Sequence, residues 1–228
     1  MSASKRRSDQ RKLIVYNQPL SSLAEQFRIL VENIELMGLD QKIHSILITS
    51  ADPNSGKSLI SSNLAIAFAQ KGKKTLLLDA DLRKPTIQNY FDASRSEGLM
   101  GVMRNNVTLD EAMIRTDMDG LDVLCVGLTP INPASILATK RFAEVLEELK
   151  GRYDQVILDT PPILTVADAQ VLAPHVDASL LVIRNDYTVT DRAKKASDQL
   201  RSSSKQFLGA IFNNQKQKKE HYYYKEHS

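Results

Sequence analysis

Short apolar runs alternate with helix-like segments along most of the chain, and this alternation constrains the fold more than any other feature of the sequence. The runs are rich in Ile, Leu and Val and are continuous rather than alternating in polarity, which is typical of parallel strands covered on both faces. They occupy residues 46–49, 75–78, 121–126, 155–158, 178–183 and 208–212. Helical patterns lie between them at residues 58–71, 139–150 and 191–201. The alternation predicts an α/β fold with a doubly wound, mostly parallel sheet.

An extra helix is predicted before the first strand, because apolar residues recur there at spacings of four and three. These residues are Leu23, Phe27, Leu30, Ile34 and Met37. Ser22 and Glu25 have the spacing of a capping box, so we expect Ser22 to cap this helix. Thr108 and Glu111 repeat that spacing within a less regular insertion, and they predict a second capped helix start.

Length and charge divide the chain into a body and two basic ends. A chain of 228 residues predicts one domain, which we place at residues 21–214, between a basic arm at 1–20 and a tail at 215–228. Residues 1–12 carry +4 and the tail carries +2, so residues 13–214 carry −3 of the net +3. The acidic body gives no case for a nucleic-acid surface. The ends are interpreted first as solvated tails and second as binding arms.

The single cysteine, Cys125, excludes a disulfide framework, a multi-cysteine zinc site and an iron–sulfur cluster held by this chain alone. Because it lies in an apolar run, we expect a buried thiol. No apolar h-region follows the basic N-terminus, and no stretch approaches the ~20 apolar residues of a membrane span. We therefore expect a soluble protein of the cytosol.

The first strand runs into a loop with the composition of a phosphate-binding loop, and a helix is predicted after it. The residues are Ala51, Asp52, Pro53, Asn54, Ser55, Gly56, Lys57 and Ser58. Such a loop surrounds phosphates with backbone N–H groups, and the helix adds the positive end of its dipole. Lys57 would reach the β- and γ-phosphates, and the Ser58 hydroxyl would bind Mg²⁺. Ala51 is a small variant where the strict pattern has glycine.

Aspartates directly follow two other apolar runs: Asp79 and Asp81 follow one, and Asp159 follows the other. In open α/β sheets the carboxyl ends of the strands form the ligand-binding edge, so these carboxylates should lie beside the phosphate loop. There they can hold Mg²⁺ or its waters, or accept a proton. One strand-end aspartate is common in turns; three beside a phosphate loop indicate a nucleotide site.

The motifs together resemble the bacterial tyrosine kinases of capsule and exopolysaccharide synthesis, across roughly residues 20–224. The resemblance rests on the phosphate loop, on Asp-Ala-Asp-Leu-Arg-Lys-Pro at residues 79–85 and on Asp-Thr-Pro-Pro at residues 159–162. Residues 132–137 and 167–169 also look like the family. The resemblance implies a phosphate-loop fold akin to MinD and ParA. It also implies an ATP- and Mg²⁺-dependent protein-tyrosine kinase that regulates polysaccharide synthesis and export.

The resemblance also implies roles for single residues. Lys57 would polarise the phosphates, with Ser58, Asp81 and Asp159 holding Mg²⁺ and Asp79 accepting the tyrosine proton; the roles of Asp79 and Asp81 can be exchanged. Further nucleotide contacts are expected at Leu59 and, facing the adenine, at Asn213. Arg83 and Arg184 would steady phosphate or neighbouring acids, or else form structural ion pairs.

The tail carries three consecutive tyrosines in a polar setting, Tyr222, Tyr223 and Tyr224. A segment this polar cannot bury enough apolar area to fold alone, so we expect these tyrosines to be accessible. The resemblance makes them the phosphoacceptors, modified in trans between copies of the chain. A functionless tail is the alternative.

The resemblance implies partners as well. Family members form a homo-oligomeric ring, commonly an octamer, through a first-helix motif that Glu25, Arg28 and Asn33 match, whereas Val31 and Glu32 depart from it. Glu25 and Arg28 could equally be a simple surface pair. A transmembrane polysaccharide co-polymerase would activate the kinase through its cytoplasmic tail, which would place the kinase at the inner face of the membrane. A cognate phosphotyrosine phosphatase would reverse the modification.

The competing hypothesis is an ATPase switch of the MinD and ParA type, which positions a membrane or DNA complex and phosphorylates no protein. In those relatives a second lysine, usually followed by two glycines, lies five positions before the lysine of the loop. Here those positions are Asp52, Pro53 and Asn54. An aspartate cannot make that lysine's contact with phosphate across a dimer.

Overall fold

The strands of the computed structural model, which describes residues 10, 12–91 and 97–214, form one seven-stranded sheet in the order β3-β4-β2-β5-β1-β6-β7. The strands are β1 Ser45–Ser50, β2 Thr75–Asp79, β3 Ile114–Arg115, β4 Leu121–Leu124, β5 Gln155–Asp159, β6 Ala178–Arg184 and β7 Phe207–Asn213. All neighbouring strands are parallel except β3 and β4, which are antiparallel. The predicted fold class, a doubly wound and mostly parallel α/β sheet, is confirmed.

Helices lie on both sides of this sheet. They are α1 Ile14–Asn17, α2 Ser22–Met37, α3 Lys57–Gln70, α4 Gly98–Met103, α5 Leu109–Ala112, α6 Pro133–Leu137, α7 Lys140–Arg152, α8 Asp168–Leu172 and α9 Thr190–Ser203. Two 3-10 turns, Ile87–Asn89 and Ala173–His175, complete the regular structure of the described residues.

The central strands are buried on both faces. Successive side chains of a strand point to opposite sides of the sheet, so every residue is buried only where both faces are covered. Every residue of β1, β2 and β5 is buried. Leu76 and Leu78 of β2 pack in one core with α7, α8 and α9, whereas Leu77 packs in the other core with α2 and α3. This two-sided burial explains why the sequence shows continuous apolar runs rather than alternation.

The N-terminus of α2 differs from its prediction by one residue. Ser21, not Ser22, is the cap, and its hydroxyl accepts a hydrogen bond from the backbone N–H of Ala24. Glu25 therefore makes no capping box and pairs with Arg28 instead. The box predicted at Thr108 and Glu111 is confirmed at the start of α5.

Two further predictions concern the core and the chain ends. Cys125 is buried, as expected, in the core beneath α3. Within the described part of the chain, no helix is long and apolar enough to cross a membrane. The tyrosine tail at residues 215–228, together with residues 1–9 and 11 of the basic arm, lies outside the described residues.

Candidate active site

The phosphate loop connects β1 to α3 at the carboxyl edge of the sheet. Two of its residues have positive φ angles, Asn54 at 59° and Gly56 at 86°. Gly56 is the N-cap of α3 and offers no side chain to cap the first turn. The backbone N–H groups at the start of α3 thus remain suited to an anionic ligand, which the helix dipole also favours.

Lys57 and two of the predicted aspartates come together beside this loop. The Lys57 Nζ donates a hydrogen bond to Asp81 Oδ2 over 3.0 Å, and it lies 4.0 Å from Asp159 Oδ2. β2 and β5 are neighbours in register, with Asp79 opposite Asp159, so their carboxyl ends bring the acids together. Asp159 Oδ1 also accepts a hydrogen bond from the Ser61 hydroxyl over 3.2 Å.

Burial dominates the electrostatics of this cluster. It raises the pKa of Asp159, and the charge of Lys57 opposes the rise only in part. For Lys57, burial alone would lower the pKa, but the charges of Asp159 and Asp81 outweigh it, so the pKa is raised. Lys57 therefore stays protonated and can attract phosphate, while the clustered carboxylates favour a further cation.

A magnesium ion fits the donor set of this cluster. Asp159 Oδ2 is buried, and no described residue hydrogen-bonds to it. Lys57 Nζ, 4.0 Å away, is beyond hydrogen-bond distance, and a buried carboxylate oxygen that accepts no hydrogen bond is costly unless a closer donor or cation satisfies it. Ser58 follows Lys57 in the first turn of α3, and carboxylate and hydroxyl oxygens are hard ligands of the kind that Mg²⁺ prefers.

Asp79 and Asp81 occupy different environments. Asp79 is fully buried, and its carboxylate accepts hydrogen bonds from the backbone N–H groups of Asp81, Thr86 and Ile87. Burial, followed by the charge of Asp159, raises the pKa of Asp79 well above its usual range. Asp81 instead contacts Lys57 and lines the cleft described next.

A cleft of about 320 Å³ opens in front of the loop and the acids. Its lining combines the phosphate loop, the segment after β2 and the Pro-Pro segment after β5. The lining residues are Pro53, Asn54, Gly56, Lys57, Ser58, Leu59, Asp81, Arg83, Lys84, Thr86, Tyr90, Pro161, Pro162, Thr165 and Val166. The cleft therefore contains six of the ten residues expected to contact a nucleotide, including Leu59, whereas Ala51, Asp52, Ser55 and Asn213 are not part of its lining.

The remaining predicted residues support the site from its edges. Arg83 makes a two-pronged ion pair with the buried Asp168 of α8, with distances of 2.9 and 3.0 Å. Arg184 donates to the backbone carbonyl of Asn54, and Asn213 donates to that of Ser55. Asn213 thus contacts the phosphate loop itself, and its predicted contact with adenine stays a prediction.

The sequence predicted no role for three supporting residues, although the segment 167–169, which contains Asp168, resembles the family. Ser61 donates to Asp159, Asp168 pairs with Arg83, and Arg192 pairs with Asp52 over 2.6 Å. A hydroxyl one turn after the loop lysine could have signalled Ser61. No local pattern could have identified the partners of Asp168 and Arg192, because those partners lie 85 and 140 residues away.

The fold and this site define a phosphate-loop nucleotide-binding protein, and comparison with known proteins places it more closely. A family model described as AAA domain matches residues 43–200. The chain is 44% identical to "Tyrosine-protein kinase YwqD" of Bacillus subtilis, over 91% of this chain and 87% of that protein. It is 39% identical to "Putative tyrosine-protein kinase CapB" of Staphylococcus aureus, over 97% of this chain and 99% of that protein.

Solved structures agree with these relatives. The crystal structure of the chimerical protein CapA2B2 superposes with a TM-score of 0.87 at 37% identity, covering 91% of each chain. The protein belongs to the family of bacterial tyrosine-protein kinases, and the predicted family and enzyme class are confirmed. MinD of Pyrococcus horikoshii, with a TM-score of 0.62 at 22% identity, shows the shared fold alone.

Proposed function

We propose that this chain is an ATP- and Mg²⁺-dependent protein-tyrosine kinase that phosphorylates Tyr222, Tyr223 and Tyr224 of another copy of itself. The proposal includes regulation of capsular or exopolysaccharide synthesis and export. The observation that supports it best is the meeting of Lys57, Asp81 and Asp159 beside the phosphate loop, at one end of an open cleft.

The binding step follows from the charges at the loop. Lys57 and the N–H groups at the start of α3 hold the β- and γ-phosphates in line with the acceptor. Ser58 and Asp159 would hold Mg²⁺, which when bound neutralises charge on the transferred phosphoryl group. Positioning and charge stabilisation supply most of the rate in this class of reaction.

We place the proton acceptor at Asp81, which exchanges the roles first given to the two acids. Asp81 lines the cleft, whereas the carboxylate of Asp79 is buried and bound to three backbone N–H groups. As the tyrosine oxygen forms its bond to the γ-phosphorus, the bond from that phosphorus to the β–γ bridging oxygen would break, ADP would leave, and the tyrosine proton would pass to Asp81. Asp79 would keep the segment between Asp81 and Ile87 in the shape that forms one wall of the cleft.

The proposed partners complete the function. A transmembrane polysaccharide co-polymerase would activate the kinase through its cytoplasmic tail and hold it at the inner face of the membrane. A phosphotyrosine phosphatase would reset the tail, and copies of the chain would assemble into a ring, with eight copies as the family resemblance suggests.

Mixing two variants tests the kinase activity and its direction together. The Lys57→Met variant keeps the tail tyrosines but lacks the phosphate-binding lysine. The triple variant Tyr222→Phe, Tyr223→Phe, Tyr224→Phe keeps the active site but lacks the proposed phosphoacceptors. Each is incubated alone and then mixed, with ATP, Mg²⁺ and the cytoplasmic segment of the co-polymerase. We expect little phosphotyrosine from either alone, and strong labelling of the Lys57→Met chain in the mixture.

Two control variants sharpen this experiment. Lys42→Met changes an exposed lysine, and Tyr16→Phe changes a half-exposed tyrosine outside the tail, so both should be labelled like the unaltered chain. Asp81→Asn should slow labelling at saturating ATP more than Asp79→Asn does. Robust ATP hydrolysis without phosphotyrosine would contradict the proposal and favour the ATPase switch.

A further inference from the structure

We infer that Arg184, Asn213 and Arg192 are positioning residues that hold the phosphate loop in its binding shape from behind. The inference rests on the proposed use of a nucleotide at this loop and concerns residues that need not touch the nucleotide. Arg184 belongs to β6, Asn213 to β7 and Arg192 to α9, at the end of the sheet where β7 is the edge strand and β6 is its neighbour.

Two of these residues bind consecutive backbone carbonyls of the loop. The Arg184 guanidinium donates to the carbonyl of Asn54 over 3.0 Å, and the Asn213 amide donates to that of Ser55 over 2.9 Å. The guanidinium also lies over the Tyr187 ring, 5.2 Å from its centre, which restricts the orientation of Arg184.

The third contact fixes the start of the loop. Arg192 of α9 pairs with the Asp52 side chain over 2.6 Å. The Asp52 carbonyl meanwhile accepts the hydroxyls of Ser50 and Ser55, over 2.7 and 2.8 Å. Because an exposed ion pair contributes little alone, we expect Arg192 to matter less than Arg184 and Asn213.

These contacts determine where the loop N–H groups point. In a trans peptide the carbonyl of one residue and the N–H of the next point in opposite directions, and the described part of the chain has no cis peptide. A donor on the Asn54 carbonyl therefore directs the N–H of Ser55 away from Arg184. A donor on the Ser55 carbonyl likewise directs the N–H of Gly56 away from Asn213.

The loop backbone needs such support because it is unusual. Asn54 adopts a left-handed conformation, which costs a non-glycine residue free energy unless its surroundings hold it. At Gly56 the positive φ suits glycine, and a Cβ there would lie only 2.1 Å from the Asn213 amide nitrogen. Asn213 thus packs directly against the loop backbone.

An experiment can distinguish a residue that shapes the phosphate loop from one that contacts adenine, because the first affects binding of the phosphates and the second affects binding of the base. A residue that shapes the loop should affect every ligand that carries the phosphates. A residue that touches the base should affect ADP and leave inorganic pyrophosphate unchanged. Measuring both ligands on the same variants distinguishes the roles and needs no kinase activity.

The experiment measures the Kd of ADP and of pyrophosphate, each with Mg²⁺, for the full chain. We expect Arg184→Ala and Asn213→Ala each to weaken both ligands by the same factor, about tenfold, the size of one hydrogen bond to a constrained group. Arg184→Lys keeps a donor and should recover part of the loss. Arg201→Ala removes an arginine of α9 that lies over Phe207 and should leave both Kd values unchanged.

The kinase assay adds a second readout. The KM for ATP should rise about tenfold in Arg184→Ala while kcat changes less than about twofold, because the loop holds substrate and transition state alike. Unchanged Kd values in both alanine variants, or weaker binding of ADP with unchanged binding of pyrophosphate, would overturn the inference and leave the nucleotide-dependent function unaffected. An unaltered chain that binds neither ligand would overturn the nucleotide-dependent function and the inference with it.

Discussion

The buried carboxylate of Asp159 destabilises the folded protein when it is ionised, although it is a candidate ligand of Mg²⁺. It is fully buried beside Asp81 and Lys57, and burial raises its pKa despite the nearby ammonium. An acid whose pKa is raised by folding stabilises the folded state fully only below its unfolded pKa, near 4 for aspartate. As the pH rises through the higher folded value, that stability is lost. The ionised carboxylate is therefore destabilising at neutral pH.

Replacing Asp159 by asparagine should stabilise the nucleotide-free protein and inactivate it. Because asparagine does not ionise, the Tm of Asp159→Asn should exceed that of the unaltered chain at pH 7.5, by about 2–4 °C for each kcal/mol recovered. This advantage should shrink as the pH falls towards 4. Phosphotyrosine formation should drop at least about tenfold, because the variant loses a candidate ligand of Mg²⁺.

Thermal unfolding between pH 4 and 8 checks this prediction. Asp119→Asn, which changes an exposed carboxylate, is the matched control and should shift Tm by less than about 2 °C throughout. A Tm for Asp159→Asn below that of the unaltered chain at pH 7.5 would contradict the prediction. It would show that the attraction between ionised Asp159 and Lys57 stabilises the fold by more than burial of the charge destabilises it.

At the scale of elements, the pair of Arg83 and Asp168 joins the end of β2 to α8. The guanidinium makes two hydrogen bonds to a carboxylate that is completely buried, while about 41% of the arginine side chain is exposed. The two-pronged geometry fixes the direction of Arg83 as well as its position. The pair thereby sets the path of the chain that leaves Asp81 and forms the cleft wall.

Breaking this pair should cost stability that a surface pair does not. Asp168→Ala should lower the free energy of unfolding by about 2 kcal/mol, the size of hydrogen bonds to a charged group. Arg83→Lys, which cannot make both bonds, should lose less. The control is Lys140→Ala. The Lys140 side chain is 92% exposed and pairs with Glu144, so its removal should change the free energy of unfolding by less than about 0.5 kcal/mol. Denaturant unfolding of the three variants compares them directly.

The elements that could be predicted from the sequence are those whose burial produces a continuous run of apolar residues. β1, β2 and β5 are buried on both faces, so each appears as a continuous apolar run that ends at the functional edge. The two-residue β3 shows no such apolar run, since it is an edge strand, pairs only with β4, and its residues are half-buried or exposed. At α2 the capping-box spacing of Ser22 and Glu25 predicted Ser22 as the cap, and only the backbone path selects Ser21 instead.

The site divides in the same way. Lys57, Asp81 and Asp159 could be predicted because strand ends and a phosphate loop must meet at one edge of a parallel sheet. Their supporting partners could not, since the contacts of Asp168 and Arg192 join segments far apart in sequence. Nothing in the sequence distinguished Asp79 from Asp81 either. Both are buried, but backbone N–H groups of the turn after β2 bind the Asp79 carboxylate, whereas Asp81 lines the cleft.

At the scale of the whole molecule, the departures from the family's assembly motif have a structural explanation. Val31 is only 1% exposed and packs in the core against α3, so it cannot serve a neighbouring copy. Glu32 pairs with Lys71 of the same chain over 2.5 Å. Glu25 and Arg28 pair with each other on the surface of α2. A ring would therefore depend more on the tyrosine tail than on this motif.

In the proposed assembly, contacts made by the tail would be sensitive to its phosphorylation. Each phosphate adds about −1.5 to −2 charges, so three would change the tail from +2 to roughly −3. The body at residues 13–214 carries −3, and three aspartates surround the site. We expect a phosphorylated tail to be repelled from that site and the basic, unmodified tail to be attracted to it. We therefore expect tail phosphorylation to disassemble the oligomer.

Mass measurement before and after incubation with ATP and Mg²⁺ checks this prediction. The unaltered chain should pass from an oligomer to a smaller species as phosphotyrosine accumulates, and phosphatase treatment should restore the oligomer. The triple phenylalanine variant and Lys57→Met should keep their mass, because neither changes its own tail charge. The shift should also weaken as salt rises from 50 to 500 mM, since screening reduces the repulsion. An unchanged mass in a fully phosphorylated sample at low salt would mean that the tail does not hold the copies together.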